Sequence, residues 1–177
     1  MTVWHLIQEE GIPDFLNEKI SYYDGGEGTV YEHLKKAAEF TRTHLGREGF
    51  PLMLRSDWND ALFRVCREGK GESIWTAMQL GTVLRCLGEL AGLTGDGETA
   101  DWCARFYEEQ KKLVNEKAWD GKWFRRAIMD NGEYLGKKES PEARIWLNTQ
   151  TWSVISGMGE REKTLTAMES VHEILNT

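Results

Sequence analysis

Apolar residues recur at helical spacing in several separate stretches. The first follows Thr29, which with Glu32 has the spacing of a capping box; Val30, Leu34, Ala37, Ala38, Thr41 and Leu45 come next, and Gly46 is a natural stop. A second stretch, from about Ser73 to Leu93, carries Ile74, Trp75, Met78, Leu80, Val83, Leu84, Leu87, Leu90 and Ala91. These cover more than half of the helix circumference, so this helix is expected to have neighbours on two sides. The Thr94-Gly-Asp-Gly segment breaks it. A third helix is predicted from about Glu98 to Glu116, with Ala100, Cys103, Phe106, Tyr107, Leu113 and Val114 inward.

The period then changes. Residues 122–129, Lys-Trp-Phe-Arg-Arg-Ala-Ile-Met, sit between the turn pairs Asp120-Gly121 and Asn131-Gly132, which predicts a β-hairpin with Glu133–Leu135 as the returning strand. Arg125 and Arg126 on that hairpin read as a solvated face. Helix resumes over about Thr149–Ser156, pauses at Gly157-Met-Gly159 and returns from Arg161 to Leu175. Between the first two helices, from Arg47 to Glu72, lies a long loop too rich in large apolar residues to be disordered, and loops of this length are usually functional. The pattern predicts an all-α fold of helical hairpins with one β insertion. A toroid of paired helices suits it better than a four-helix bundle.

Composition changes this picture little. A chain of 177 residues with 40 % hydrophobic content can bury one core, and it holds no apolar run long enough for a membrane span. The first ten residues lack a basic region and turn acidic, unlike a signal peptide. A net charge of −7 argues against nucleic acid as a partner. Cys66, Cys86 and Cys103 have neither disulfide nor zinc spacing, which leaves a reducing cytoplasm as the expected setting. His5, His33, His44 and His172 are scattered without ligand spacing, so neither a metal nor a cofactor is expected. The eight tryptophans are roughly three times average usage, and indoles both fill cores and stack on sugar rings.

The candidate chemistry lies in Asp57-Trp58-Asn59-Asp60. Cleaving a glycosidic bond needs a carboxylic acid that protonates the leaving oxygen, and two aspartates beside an indole that excludes water could hold one carboxyl neutral. Trp58 would stack on the sugar, Asp57 enters as a second candidate contact, and Asn59 would hold the turn. The same four residues would equally serve as an ordinary turn and helix cap. Gly69-Lys-Gly-Glu-Ser73 fails the P-loop pattern. It reads either as a weak anion-binding entry to a helix or as a lead-in capped by Ser73.

Taken together, Thr29-Val-Tyr-Glu-His33, Phe50-Pro-Leu-Met, Asp57-Trp-Asn-Asp60, Gly69-Lys-Gly-Glu-Ser-Ile-Trp75, Ala118-Trp-Asp-Gly-Lys-Trp-Phe-Arg-Arg126 and Asn148-Thr-Gln-Thr-Trp-Ser-Val-Ile-Ser-Gly157 resemble, in order and rough spacing, the cellobiose/chitobiose phosphorylase family, glycoside hydrolase family 94. The resemblance covers nearly the whole chain. It implies part of an (α/α)6 barrel, with residues 1–177 as one incomplete catalytic domain. Asp60 would be the general acid and Trp58 a sugar contact. The implied reaction is inverting phosphorolysis of a β-linked disaccharide or oligosaccharide to an α-sugar 1-phosphate, with inorganic phosphate as co-substrate and no metal. Full-length members are commonly homodimers.

Departures are Arg55-Ser56 where the family commonly has glycine, Ala61-Leu62 where many members have Gly-Met, and a far shorter chain without the family's phosphate-binding segment. Two other expectations stand beside this one. The first is a hydrolase or a cyclic β-1,2-glucan synthase-like domain on the same toroid. The second is a non-catalytic sugar-binding helical module.

Overall fold

A computed structural model describes residues 1–176. Six α-helices dominate: α1 (Thr2–Glu10), α2 (Val30–Thr43), α3 (Ile74–Thr94), α4 (Gly97–Leu113), α5 (Leu147–Ile155) and α6 (Arg161–Leu175). The strands are short. β1 (Lys19–Ser21) pairs antiparallel with β2 (Glu27–Thr29), while β3 (Glu72–Ser73), β4 (Ala127–Ile128) and β5 (Tyr134–Leu135) form an antiparallel sheet in that order. The mostly helical class is the expected one. Nothing in the periodicity pointed to α1 or to the β1–β2 hairpin, because α1 buries only Ile7 and the strands are largely exposed.

The caps behave as their residue types dictate. Thr29 and Glu32 close a complete capping box on α2, and Ser73 accepts from the Thr76 N–H at the start of α3. Gly95 ends α3 in the left-handed region, and Asp96 caps α4 one residue later. This tight turn makes α3 and α4 an antiparallel pair, the most extensive helix contact in the molecule. The α4 helix finishes in a π-turn over Val114–Ala118.

Two main cores share α3 as their common wall. Its C-terminal half (Leu80, Leu84, Leu87, Leu90, Ala91) packs with Ile7, Leu16, Tyr31, Ala38, Cys103 and Phe106. Its N-terminal half (Ile74, Ala77, Met78) packs with Phe50, Val114, Trp123, Phe124, Met158 and Ala167. This explains the wide apolar arc read from the sequence. Gly81 is needed where α3 meets the Gly157–Gly159 turn, since a Cβ there would lie 2.5 Å from Met158 Cε and 2.9 Å from its Cγ. The long loop builds a third, smaller cluster from its own Met53, Leu62, Val65 and Cys66 with Ala127. Among the described residues no helix is long and apolar enough to cross a membrane.

The reading of Arg125 and Arg126 as a solvated face is overturned. Arg126 is 0 % exposed, and Arg125 pairs with the buried Asp120 while lying over the Tyr134 ring. The reason is tertiary. The predicted eight-residue strand is mostly irregular, Arg126, Ala127 and Ile128 are buried in succession, and the Arg126 charge is met by a distant Asp57.

Asp96 ties α2 to the α3–α4 turn. Its carboxylate accepts from Thr99 N–H (3.0 Å), Thr99 Oγ1 (2.8 Å), Lys35 Nζ (2.7 Å) and Tyr31 OH (3.0 Å). The Lys35 contact, then the Thr99 bonds, hold its carboxyl well below the usual carboxylate range. A depressed folded-state pKa gives stability that is present above the unfolded value of about 4 and is lost as pH falls below it. Urea midpoints measured from pH 7 down to pH 2 should therefore fall more steeply below about pH 4 in the parent chain than in Asp96→Ala. Parallel curves would remove Asp96 from the acid response.

Candidate active site

The loop between α2 and α3 turns at Leu54, a non-glycine residue at φ 57°, and then presents Asp57 to Asp60 before a 3₁₀ segment over Asp60–Val65. The four residues of the tetrapeptide have different fates. Asp57 points inward, its side chain 3 % exposed. Its Oδ1 accepts from the Asn59 N–H at 2.9 Å, forming an Asx turn, and its Oδ2 accepts from Ser73 Oγ at 2.7 Å. Arg126 Nη2 donates to both oxygens, at 2.8 and 2.6 Å. Asn59 Oδ1 accepts from the Ala61 N–H, so Asn59 holds the turn as expected.

Trp58 and Asp60 point outward. Trp58 is 75 % exposed, with its ring 5.7 Å from that of buried Trp75. Asp60 is exposed, and its carboxylate accepts one bond, 3.3 Å from Ser56 Oγ. The two aspartates three residues apart are thus separated by environment.

Beneath the loop sits an aromatic and cationic cluster. The Arg126 guanidinium lies 5.4 Å from the Trp75 ring centroid and 5.8 Å from that of Trp146, with Trp152 edge-on to Trp75. Burial pulls the pKa of this guanidinium down, and the charge and hydrogen bonds of Asp57 push back. Ser73 Oγ joins three elements. It donates to Asp57, accepts from the Thr76 N–H at the head of α3, and takes a longer bond of 3.3 Å from Arg126 Nη1. One hydroxyl donor and two acceptor positions are all in use.

The glycine-rich entry to α3 does bind an anion, but an internal one. The Glu68, Lys70 and Gly71 N–H groups donate to the Asp130 carboxylate at 2.8, 2.9 and 2.9 Å. Ser73 caps the helix, as the alternative reading expected. On the reverse face of the sheet, the cross-strand row Leu52, Glu72, Ile128 and Tyr134 lines a cavity of about 840 Å3. Glu72 there accepts from the Glu48 and Phe50 N–H groups, and burial pushes its carboxyl up. Among the described residues no cluster of His, Cys, Asp and Glu could hold a metal.

Sequence reasoning missed Arg126, Trp75 and Asp130 as parts of this assembly. Neither the inward turn of Arg126 nor the Asp130 contact, some sixty residues from its partners along the chain, had a signal in the local pattern.

Comparison with known proteins was made on this basis. A model described as the catalytic domain of the glycosyl hydrolase 94 superfamily matches residues 1–177. Solabiose phosphorylase of Paenibacillus borealis is 36 % identical over 99 % of this chain and 23 % of its own length. N,N'-diacetylchitobiose phosphorylase of Vibrio proteolyticus is 31 % identical over 98 % and 22 %. The cyclic beta-(1,2)-glucan synthase of Rhizobium meliloti (strain 1021) is 33 % identical over 96 % and 7 %. The chain therefore spans under a quarter of the length of these relatives. The GH78 family rhamnosidase of Bacillus sp. GL1 superposes with a TM-score of 0.63 at 18 % identity, over 82 % of this chain and 15 % of that one, a likeness of fold.

Removing one partner of a buried ion pair leaves the other charge stranded. Asp57→Ala and Arg126→Met should each lower the urea-derived stability by about 3–5 kcal/mol. The double variant should lose clearly less than the sum, because no stranded charge remains. Simple additivity would show that the two side chains do not stabilise each other.

Proposed function

The chain belongs to the glycosyl hydrolase 94 catalytic-domain family, and on that premise we propose that it supplies the general acid of an inverting glycoside phosphorylase. Asp60 is the acid. It donates its proton to the glycosidic oxygen of a β-linked disaccharide or oligosaccharide as the C1–O bond breaks. A phosphate oxygen attacks C1 from the opposite face and forms the α-sugar 1-phosphate. Asp60 is left as carboxylate and regains a proton from solvent before the next turnover. Phosphate is already a nucleophile, so no second carboxylate is required as base. Trp58 stacks on the sugar ring, and Asp57 acts on the substrate only through the loop that it holds.

One observation carries the assignment: of two neighbouring carboxylates, Asp57 is consumed by Arg126 and Ser73, whereas Asp60 stands free two residues from an exposed indole. A general acid must be kept neutral, and exclusion of water achieves this. In this proposal the rest of the catalytic domain closes over the loop, supplies the phosphate site and excludes the water. Two of the relatives are phosphorylases by name, which supports phosphorolysis. No metal or organic cofactor takes part. Three free cysteines fit a cytoplasmic protein, and a homodimer of the full-length enzyme belongs to the same reading. The likeness to a cyclic beta-(1,2)-glucan synthase favours a second reading, a glucan-processing domain on the same scaffold.

Asp60→Asn in the full-length protein should cut sugar 1-phosphate formation by about 100-fold or more. Its melting temperature should hardly move, because an asparagine oxygen can still accept the bond from Ser56. Near-normal activity would remove Asp60 from the acid role. Omitting phosphate separates the two readings: phosphorolysis stops, whereas glucan processing continues.

A further inference from the structure

The loop that carries Trp58 and Asp60 is gripped at two places by one element, the β4–β5 hairpin. At one end of the hairpin, Arg126 holds Asp57 through both carboxylate oxygens. Four residues later, at the hairpin turn, the Asp130 carboxylate takes the N–H groups of Glu68, Lys70 and Gly71, and its own N–H donates to Val65 O at 3.0 Å. The two grips therefore flank the segment that carries Trp58 and Asp60. Among the described residues, none of the hairpin's hydrogen bonds reaches Trp58 or Asp60.

Movement at the first grip is transmitted locally. Asp57 Oδ1 also accepts the Asn59 N–H, and Asn59 in turn caps the 3₁₀ segment that starts at Asp60 through the Ala61 and Leu62 N–H groups. Trp58 sits at the centre of that Asx turn. Arg126 is itself fixed, by the faces of Trp75 and Trp146 and by Gly136. Gly136 has φ +87°, and a Cβ there would lie 2.9 Å from Arg126 N. The planar guanidinium fits between two rings and reaches Asp57 with Nη2 and Ser73 with Nη1 at the same time, whereas an ammonium offers a single nitrogen.

We propose that Arg126 is a positioning residue for the reaction. Together with Asp130 it makes the β4–β5 hairpin the clamp that sets where Asp60 meets the leaving oxygen. This rests on Asp60 being the general acid, as proposed above. The clamp works through Asp57 and the Asx turn, and Arg126 itself touches no substrate.

The 177-residue chain provides the first test. In Arg126→Lys, which keeps the charge, amide exchange at Asn59, Ala61 and Leu62 should be at least about tenfold faster while α3 and α4 keep their rates. Unchanged loop exchange overturns the proposal. Should Arg126→Lys fail to fold, the double variant Asp57→Asn with Arg126→Gln loosens the same grip with no charge stranded and carries the same expectation.

The second test uses the full-length enzyme and two substrates with the same glycosyl residue, the natural disaccharide and its 2,4-dinitrophenyl β-glycoside. The activated leaving group departs without a proton. On the disaccharide, Arg126→Lys should lose about 100-fold in kcat, with KM within about threefold. On the activated glycoside it should stay close to the parent. Equal losses on both substrates, with Asp60→Asn still selective between them, overturn the role of Arg126 and leave Asp60 standing. If Asp60→Asn shows no such selectivity, the acid assignment itself has failed.

Discussion

The bond between Arg126 and Asp57 links three parts of the molecule that the chain keeps far apart. The carboxylate belongs to the loop after α2, the guanidinium to the hairpin after α4, and Ser73, which touches both, caps α3. Burying two charges is expensive, and such a pair is weak evidence for stability in itself. It survives here because its geometry is nearly complete: Arg126 donates to both carboxylate oxygens, further donors come from Ser73 and the Asn59 N–H, and two indole faces flank the cation. What it provides is a single arrangement. An apolar pair could fill the same space, but it could not dictate the direction of the Asx turn above it.

The same device recurs through the loops. Asp130 gathers three N–H groups at the entry to α3, Glu72 gathers two beneath Gly46, and Asp96 joins two helices and a turn. Irregular backbone cannot satisfy its own donors, so an enclosed loop needs acceptors brought to it. Part of the chain's acidic surplus is used in this way. Asp60 stands outside this group: among the described residues its carboxylate accepts only from Ser56, and the proposed acid role rests on that difference.

The helices were legible in the sequence because their stability is local and periodic. The capping box at Thr29, the wide apolar arc of α3 and the break at Gly95 are written in neighbouring residues. The span of α6 matches its apolar pattern as well. The N-terminal helix escaped notice because a helix that buries a single residue leaves little periodic signal. The hairpin was recognised from its turn pairs, but its extent was not. Within residues 122–129 the regular ladder is confined to Ala127–Ile128, and the backbone before it is irregular, as where Gln150 takes both the N–H and the carbonyl of Phe124.

The sequence by itself determined the helical class and the position of the loop, for which residue type and spacing at short range are enough. The four residues of the proposed chemistry stood out only through the order of several motifs along the chain. Only the tertiary structure decided which aspartate is locked and which is free, and that Arg126 is interior. Those outcomes depend on contacts between residues up to 69 positions apart. The environment of a carboxylate is created by whatever packs around it, and spacing along the chain says nothing of which distant cation will arrive.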